Sequence, residues 1–78
     1  MYSVFLQNQP KIFLKKMDKA ERNRIIKKLE ELKNNPELGK PLTGRLAGLW
    51  SLRIGDYRTL YQIRRNELLI LILKLGHR

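Results

Sequence analysis

The sequence predicts an α+β domain with the element order β-α-α-β-β-β, in which an N-terminal helical hairpin packs on one face of a twisted antiparallel sheet. Two observations predict it. Apolar residues recur at helical spacing in the first half of the chain, and at alternate positions, separated by short turns, in the second half. Because 78 residues allow only one modest core, we expect residues 1–78 to form a single domain.

The first half is predicted to contain one strand and two helices. Residues 2–6 are rich in aromatic and β-branched side chains and indicate an opening strand. Asn8 is a candidate cap for the first helix, and Pro10 suits its first turn because the missing N–H costs little there. Asp18 and Glu21 have the spacing of a capping box and predict the start of a second helix.

Each predicted helix has an apolar stripe that can face a sheet. The stripes comprise Phe13, Leu14 and Met17 in the first helix and Ile25, Ile26, Leu29 and Leu32 in the second. Asn34-Asn35-Pro36 is expected to end the second helix. Two helices joined near Asp18 therefore form a hairpin that packs through its stripes.

The second half is predicted to contain a loop and three strands. Glycines and a proline leave residues 38–48 without periodicity, so we expect a loop that carries Lys40 and Arg45. Residues 49–54 alternate, Gly55-Asp56 provides a tight turn, and residues 57–64 return. A further turn over 65–67 leads to the nearly continuous apolar run 68–75, which indicates a central strand.

Strand alternation divides the side chains of this sheet into two faces. The helices are expected to cover the face with Trp50, Leu52 and Ile54, whereas Ser51, Arg53, Arg58 and Lys74 occupy the opposite face. The last strand continues into Gly76-His77-Arg78, beside which the two earlier arginines can lie. Because a guanidinium group offers a fixed fork of donors that fits phosphate oxygens, this end of the sheet predicts nucleic-acid binding.

The composition favours an anionic partner and disfavours several kinds of site. Seventeen Lys and Arg against seven Asp and Glu give a net charge of +10, which suits a polyanion or an acidic protein. With one histidine and no cysteine, neither a metal site nor another cofactor is expected. No apolar run reaches the roughly 20 residues that span a bilayer, and no signal peptide is visible, so we expect a cytoplasmic protein.

Cationic side chains can assist the cleavage of RNA by its own 2′-hydroxyl. That reaction needs in-line geometry, stabilisation of the extra negative charge on phosphorus, and two proton transfers. Arginine stabilises the charge well, but a guanidinium pKa above about 12 makes it a poor base. Such an enzyme would depend on something else to hold its substrate in place.

The segment 50–61 contains the pattern R-x-G-x-Y-R-x-x-Y, and the chain ends in G-H-R. Together with the preceding helical hairpin, these motifs resemble the RelE/ParE superfamily of toxin–antitoxin toxins. The RelE branch, which we favour, implies a ribosome-dependent endoribonuclease that cuts messenger RNA in the A site. The resemblance implies that Arg58 binds the scissile phosphate, that Arg53 assists the attacking hydroxyl, and that Arg78 acts at the leaving oxygen.

The same resemblance implies partners and alternatives. The partners would be the ribosome, messenger RNA and an acidic RelB-like antitoxin, which would form a hetero-oligomer with the toxin and cover the basic face. The candidate RNA-binding residues are Lys40, Arg45, Ser51, Tyr57, Lys74 and His77. Two alternatives stay open: a ParE-type inhibitor of DNA gyrase that cuts nothing, and a weakened RNA-binding member. The second arises because the family pattern continues past G-H-R with a tail that holds a tyrosine, whereas this sequence stops at Arg78.

Overall fold

A computed structural model describes all 78 residues and confirms the α+β fold class. The elements are β1 (Ser3–Leu6), α1 (Asn8–Lys15), α2 (Lys19–Glu30), β2 (Lys40–Pro41), β3 (Leu49–Ile54), β4 (Tyr57–Arg64) and β5 (Leu69–His77). Short 3₁₀ turns lie at Glu31–Lys33, Pro36–Leu38, Gly44–Leu46 and Arg65–Glu67. Neither helix has the length and apolar character required to cross a bilayer.

The five strands form one sheet with the order β1-β5-β4-β3-β2. The predicted central position of the last strand is confirmed, because β5 lies between β1 and β4. The prediction of an entirely antiparallel sheet is wrong in one pairing, since β1 runs parallel to β5. Tight hairpins force β3, β4 and β5 to alternate in direction, whereas the long connection after β1 leaves its direction free.

The loop predicted over 38–48 contains a two-residue strand, β2, that pairs with β3. The buried side chain of Tyr61 holds the segment that precedes β2. Its hydroxyl accepts a hydrogen bond from the Gly39 N–H at 3.0 Å and donates one to the Pro36 carbonyl at 2.7 Å. Because a buried phenol needs hydrogen-bond partners, this contact fixes where Lys40 enters the sheet.

The helical hairpin packs on one face of the sheet, as predicted. The buried core comprises Leu14, Ile25, Leu29, Leu32, Leu52, Ile54, Tyr57, Tyr61, Ile70, Ile72 and Leu75. Ile26 is 37% exposed, so the prediction that it belongs to the apolar stripe of α2 is wrong. It directly follows Ile25, and consecutive helical residues point in directions about 100° apart, so only one of the two can face the sheet squarely.

Both predicted helix caps differ from the structure in detail. The N-cap of α1 is Gln7 rather than Asn8, and neither Gln7 nor Asp18, the N-cap of α2, makes a side-chain capping bond. The carboxylate of Glu21 does not complete a capping box, because it binds Arg24 and the hydroxyl of Tyr57 instead. Tertiary partners thus replace the local hydrogen bonds that the spacing predicted.

A β-bulge interrupts β5 at Leu73. Tyr61 lies opposite Ile72 and Leu60 opposite Lys74, which leaves Leu73 without a partner on β4. A slip of one residue exchanges the two faces of a strand. The bulge therefore sends Leu75, 1% exposed, into the core and leaves Lys74 exposed.

The packing around β2 predicts the effect of adding one methyl group. A Cβ on Gly39 would overlap the Ser51 carbonyl oxygen and lie 2.9 Å from the Tyr61 hydroxyl. We expect Gly39→Ala to lower the free energy of unfolding by about 1–3 kcal/mol through overpacking, measured by urea denaturation. Gly76→Ala, whose Cβ meets nothing within 4 Å, is the control and should stay within about 0.5 kcal/mol. Equal stabilities of the two variants would contradict this account.

Candidate nucleic-acid interface

Two of the three predicted catalytic arginines lie directly opposite each other on the face of the sheet that the helices leave uncovered, here called the outer face. Arg53 of β3 pairs with Arg58 of β4, and both are exposed. Directly opposite residues of antiparallel strands have Cβ atoms about 4.5–5.5 Å apart, and like charges in such pairs are destabilising. The sheet therefore carries an electrostatic cost here that a bound anion would relieve.

The end of β5 completes this cluster. Gly76 lies opposite Arg58, and a Cβ on Gly76 would meet nothing within 4 Å, so the outer face is open at the residue paired with Arg58. The N–H of Arg78 donates to the carbonyl of Asp56 at 3.0 Å, which extends the pairing to the hairpin turn. By strand alternation Arg78 shares the parity of Gly76 and hence the outer face. The structure thus places Arg53 and Arg58 on the outer face and the backbone of Arg78 at the same end of the sheet.

Two adjoining depressions of about 540 Å³ each cross the outer face and share Leu42, Ser51 and Arg58. We call them together the outer groove. Its polar and charged lining comprises Lys28, Lys40, Ser51, Arg53, Arg58, Lys74, Gln9 and His77. Leu42, Leu46 and Leu60 provide apolar wall beside the cations. A groove with basic and apolar lining suits both the phosphates and the bases of a single strand.

No carboxylate lines the outer groove. Five acidic residues are held in ion pairs, namely Glu21, Glu30, Glu31, Glu37 and Glu67, and only Glu31 pairs with a cation of the groove lining, Lys28. None of those five pairs involves Arg53, Arg58 or Arg78. The charges of these three arginines are therefore not neutralised by ion pairs within the protein, as expected of a surface that binds a polyanion.

Four of the six predicted RNA-binding residues lie in or beside the outer groove. Lys40, Ser51 and Lys74 line the outer groove. Arg45 is exposed in the neighbouring 3₁₀ turn, next to Leu46 of the groove wall.

The rings of Tyr57 and His77 do not lie on the outer face, where we predicted them to contact RNA. They pair with each other across β4 and β5 with the parity of the core, so their rings lie on the face covered by the helices. The rings pack with a centroid distance of 4.7 Å, and Phe13 of α1 contacts both. His77 still lines the end of the outer groove, but Tyr57 is only 7% exposed and does not. Tyr57 is therefore a support for this end of the sheet, because strand alternation directs it away from the arginines.

The phenol of Tyr57 is also tied to α2. Its hydroxyl donates a hydrogen bond to Glu21, and this bond, reinforced by burial, raises the pKa of Tyr57 above its ordinary value. Burial likewise raises the pKa of Tyr61. Neither phenol is therefore available as a base at neutral pH.

Two residues near the site were not predicted from the sequence. Lys28 lies outside the apolar stripe of α2, yet it reaches the groove beside Lys40 and Arg53. Gln9 belongs to no motif, yet its carboxamide binds the backbone of Leu75. No local pattern indicates either, because each depends on how a helix is placed against the edge of the sheet.

Comparisons with known proteins agree with the geometry. Residues 7–78 match the family model described as the ParE toxin of the type II toxin–antitoxin system parDE. Over 41 residues the chain is 46% identical to Toxin RelG of Mycobacterium tuberculosis; the match covers 53% of this chain and spans only about half of that relative, 47% of its length.

Two solved structures are similar over their whole length. A chain of the toxin–antitoxin complex RelBE2 from Mycobacterium tuberculosis is 32% identical with a TM-score of 0.89, over 99% of this chain and 98% of that one. A chain of the archaeal RelE–RelB complex from Pyrococcus horikoshii is 30% identical with a TM-score of 0.76, over 99% and 94%. These are the folds that this chain resembles.

The contact between Tyr57 and Glu21 predicts a titration shift. Because the folded pKa is raised, the stabilisation from this phenol is complete below pH about 10, the unfolded value, and is lost as the pH rises through the folded value. Glu21→Gln should lower the pKa of Tyr57, as followed by the NMR shifts of its ring during an alkaline titration. Glu30→Gln, which removes a carboxylate paired only with Lys33, is the control. An unchanged Tyr57 midpoint in Glu21→Gln would show that the carboxylate is not the cause.

Proposed function

Since the chain belongs to the ParE toxin family of type II toxin–antitoxin systems, we propose that it is an endoribonuclease toxin that cuts messenger RNA in the ribosomal A site and so stops translation. This activity places it in the cytoplasm, with the ribosome and messenger RNA as its targets. The whole chain, residues 1–78, acts as one toxin domain.

The observation that supports the proposal is the opposed pair Arg53 and Arg58, exposed and without a carboxylate partner. A like-charge pair directly across two strands destabilises a sheet, and a phosphodiester bound between the two guanidinium groups converts this cost into two charge-assisted contacts. The open space at Gly76 gives the phosphate room beside Arg58.

The proposed reaction is a transesterification. The 2′-oxygen of the substrate attacks the adjacent phosphorus in line as its proton passes to water, and the bond from phosphorus to the 5′-oxygen of the next nucleotide breaks. The 5′-oxygen takes a proton from water, so the products are a 2′,3′-cyclic phosphate and a 5′-hydroxyl. Arg58 stabilises the negative charge that develops on the non-bridging oxygens, Arg53 lies toward the attacking hydroxyl, and Arg78 toward the leaving oxygen.

The dependence on the ribosome follows from what the site lacks. Arginine is almost entirely protonated at neutral pH and is a poor base, and the ring of the one histidine, at the end of the groove, packs on Tyr57 rather than beside the arginine pair. The protein therefore contributes charge stabilisation, and the ribosome contributes a messenger RNA strand fixed in a geometry suited to in-line attack. Lys40, Lys74 and Arg45 bind flanking phosphates, and Ser51 offers a neutral hydroxyl between the two depressions.

The antitoxin is proposed to be an acidic protein that covers the outer groove. Its carboxylates would pair with the free cations of the outer face, and its apolar side chains would contact Leu42, Leu46 and Leu60. Such a segment both cancels the charge and blocks access to Arg58, which is sufficient for inhibition.

The matching family model, that of ParE toxins, supports a second candidate function. A ParE-type protein would inhibit DNA gyrase by binding it and would cut no RNA. In that case Arg53, Arg58 and Arg78 would contact protein or DNA rather than a scissile phosphate. A weakened member of the RNase branch would bind RNA in the same groove without cleaving it.

Primer extension on messenger RNA in a translating extract tests the proposal. Cuts at codon positions are expected with the wild-type chain and not with naked RNA. We expect Arg58→Ala to reduce the cleavage rate by about 10²–10³-fold, as measured when one oxyanion-stabilising donor is removed. Arg64→Ala is the matched control, because Arg64 is the same residue type at the opposite end of β4 and pairs with Glu67. It should cleave at the wild-type rate.

Three outcomes would overturn the proposal. Equal rates for Arg58→Ala and wild type would remove Arg58 from the reaction. Intact messenger RNA together with relaxed or broken plasmid DNA in a gyrase assay would establish the second function instead. Binding of RNA without any cleavage would identify a non-catalytic member.

A further inference from the structure

The side chain of Gln9 acts as a substitute strand at the edge of β5. Its Nε2 donates to the Leu75 carbonyl at 2.8 Å, and its Oε1 accepts from the Leu75 N–H at 2.8 Å. A carboxamide that forms both bonds with one residue reproduces the hydrogen bonding of a neighbouring strand.

The sheet needs this contact because β1 is too short to pair with the whole of β5. The register of β1 ends with Leu6 opposite Ile72. Beyond that point β5 is covered on one side only, by β4. The backbone groups of Leu75 point toward the uncovered side, since they reach Gln9 rather than Thr59, the residue opposite on β4.

A second side chain holds the same stretch from within the sheet. The hydroxyl of Thr59, which is fully buried, donates to the Lys74 carbonyl at 2.7 Å. Lys74 and Leu75 are the first residues after the bulge at Leu73, where the regular ladder is interrupted. The Thr59 hydroxyl therefore replaces a backbone bond that the bulge disrupts, whereas Gln9 replaces the bonds of a neighbouring strand that β1 is too short to supply.

We propose that Gln9 is a positioning residue, which holds the segment 74–78 so that Lys74 and Arg78 bind RNA phosphate in the outer groove. The inference rests on the proposed function, whose leaving-group residue, Arg78, is three residues beyond Leu75. Without Gln9, water would satisfy the Leu75 backbone and the last residues would fray. Misplacement of a catalytic group by about 1 Å can cost 10²-fold in rate.

Gln9→Met tests the role of the hydrogen bonds, because methionine keeps the length of the side chain and its helix propensity but has neither polar end. Gln7→Met is the matched control: Gln7 is exposed, two residues away, and its side chain makes no capping bond. The first measurement is amide hydrogen exchange. In Gln9→Met the Leu75 amide should exchange at least tenfold faster, while the amide of Ile70, within the part of β5 that β1 covers, stays unchanged.

The second measurement separates positioning from general destabilisation. In the translating extract, Gln9→Met should lower kcat about tenfold and raise KM for ribosomes by a smaller factor, because Lys74 and Arg78 lose phosphate contacts while the other cations of the outer face keep theirs. Arg78→Ala should lower kcat at least as far, and the double variant should be less impaired than the product of the two single effects, since both changes act in part through Arg78.

The third measurement does not require cleavage. The binding constant for a single-stranded RNA oligonucleotide is measured at several salt concentrations. The slope of its logarithm against the logarithm of the salt concentration should become less negative by about 0.7 for each phosphate that the protein no longer neutralises. Gln9→Met and Arg78→Ala are both expected to show this weaker salt dependence, and Gln7→Met is not. If wild type fails to cut messenger RNA, the proposed function falls, and this comparison still decides the role of Gln9.

The role of Gln9 would be overturned by either of two results. One is a Leu75 amide that exchanges at the wild-type rate in Gln9→Met, which would show that the carboxamide does not hold the strand. The other is a faster Leu75 amide with wild-type salt slope, which would show that the strand can loosen without moving the cations.

Discussion

The position of every cation at the end of β5 depends on one bulged residue. Along this strand Ile70 and Ile72 face the helices, and the next buried residue, Leu75, follows after three positions rather than two. A regular ladder would turn Lys74 toward the core opposite the fully buried Thr59 and turn Leu75 to solvent. Burying an unpaired ammonium costs several kcal/mol or more, whereas burying a leucine contributes about 1.5–3 kcal/mol. The strand therefore bulges at Leu73, and Lys74, Gly76 and Arg78 share the outer face.

The outer face departs from the rules that make a sheet stable, and the departures coincide with the candidate site. Arg53 and Arg58 repel each other across a strand pair, and β5 is interrupted by a bulge and ends beyond the reach of β1. Sequences usually agree with their structure at every level, and departures concentrate at functional sites. The inner face shows the opposite behaviour, with a packed apolar core and no unsatisfied buried side-chain polar atom.

At this end of the sheet the inner face anchors the strands to the helices, and the outer face presents the cations. On the inner face, Phe13, Tyr57 and His77 form an aromatic cluster that Glu21 ties to α2. On the outer face, the same three strand ends present guanidinium groups to solvent. The proposed chemistry thus takes place on a backbone whose reverse side is anchored to the helices, which suits a site that has to position phosphate.

Periodicity and turn chemistry within a few residues were sufficient to predict the α+β class, the order of the main elements, the hairpin around Gly55-Asp56 and the exposed parity of Arg53 and Arg58. Contacts between distant parts of the chain set the parallel pairing of β1, the short strand at Lys40–Pro41, the inward direction of Tyr57 and the contact of Gln9 with Leu75. These features join residues far apart in the chain, and local patterns carry no information about such pairings. The bulge at Leu73 depends on both local and distant features. The spacing of the apolar residues Ile72 and Leu75 is visible in the sequence, but only the position of the helices shows that both side chains face the core.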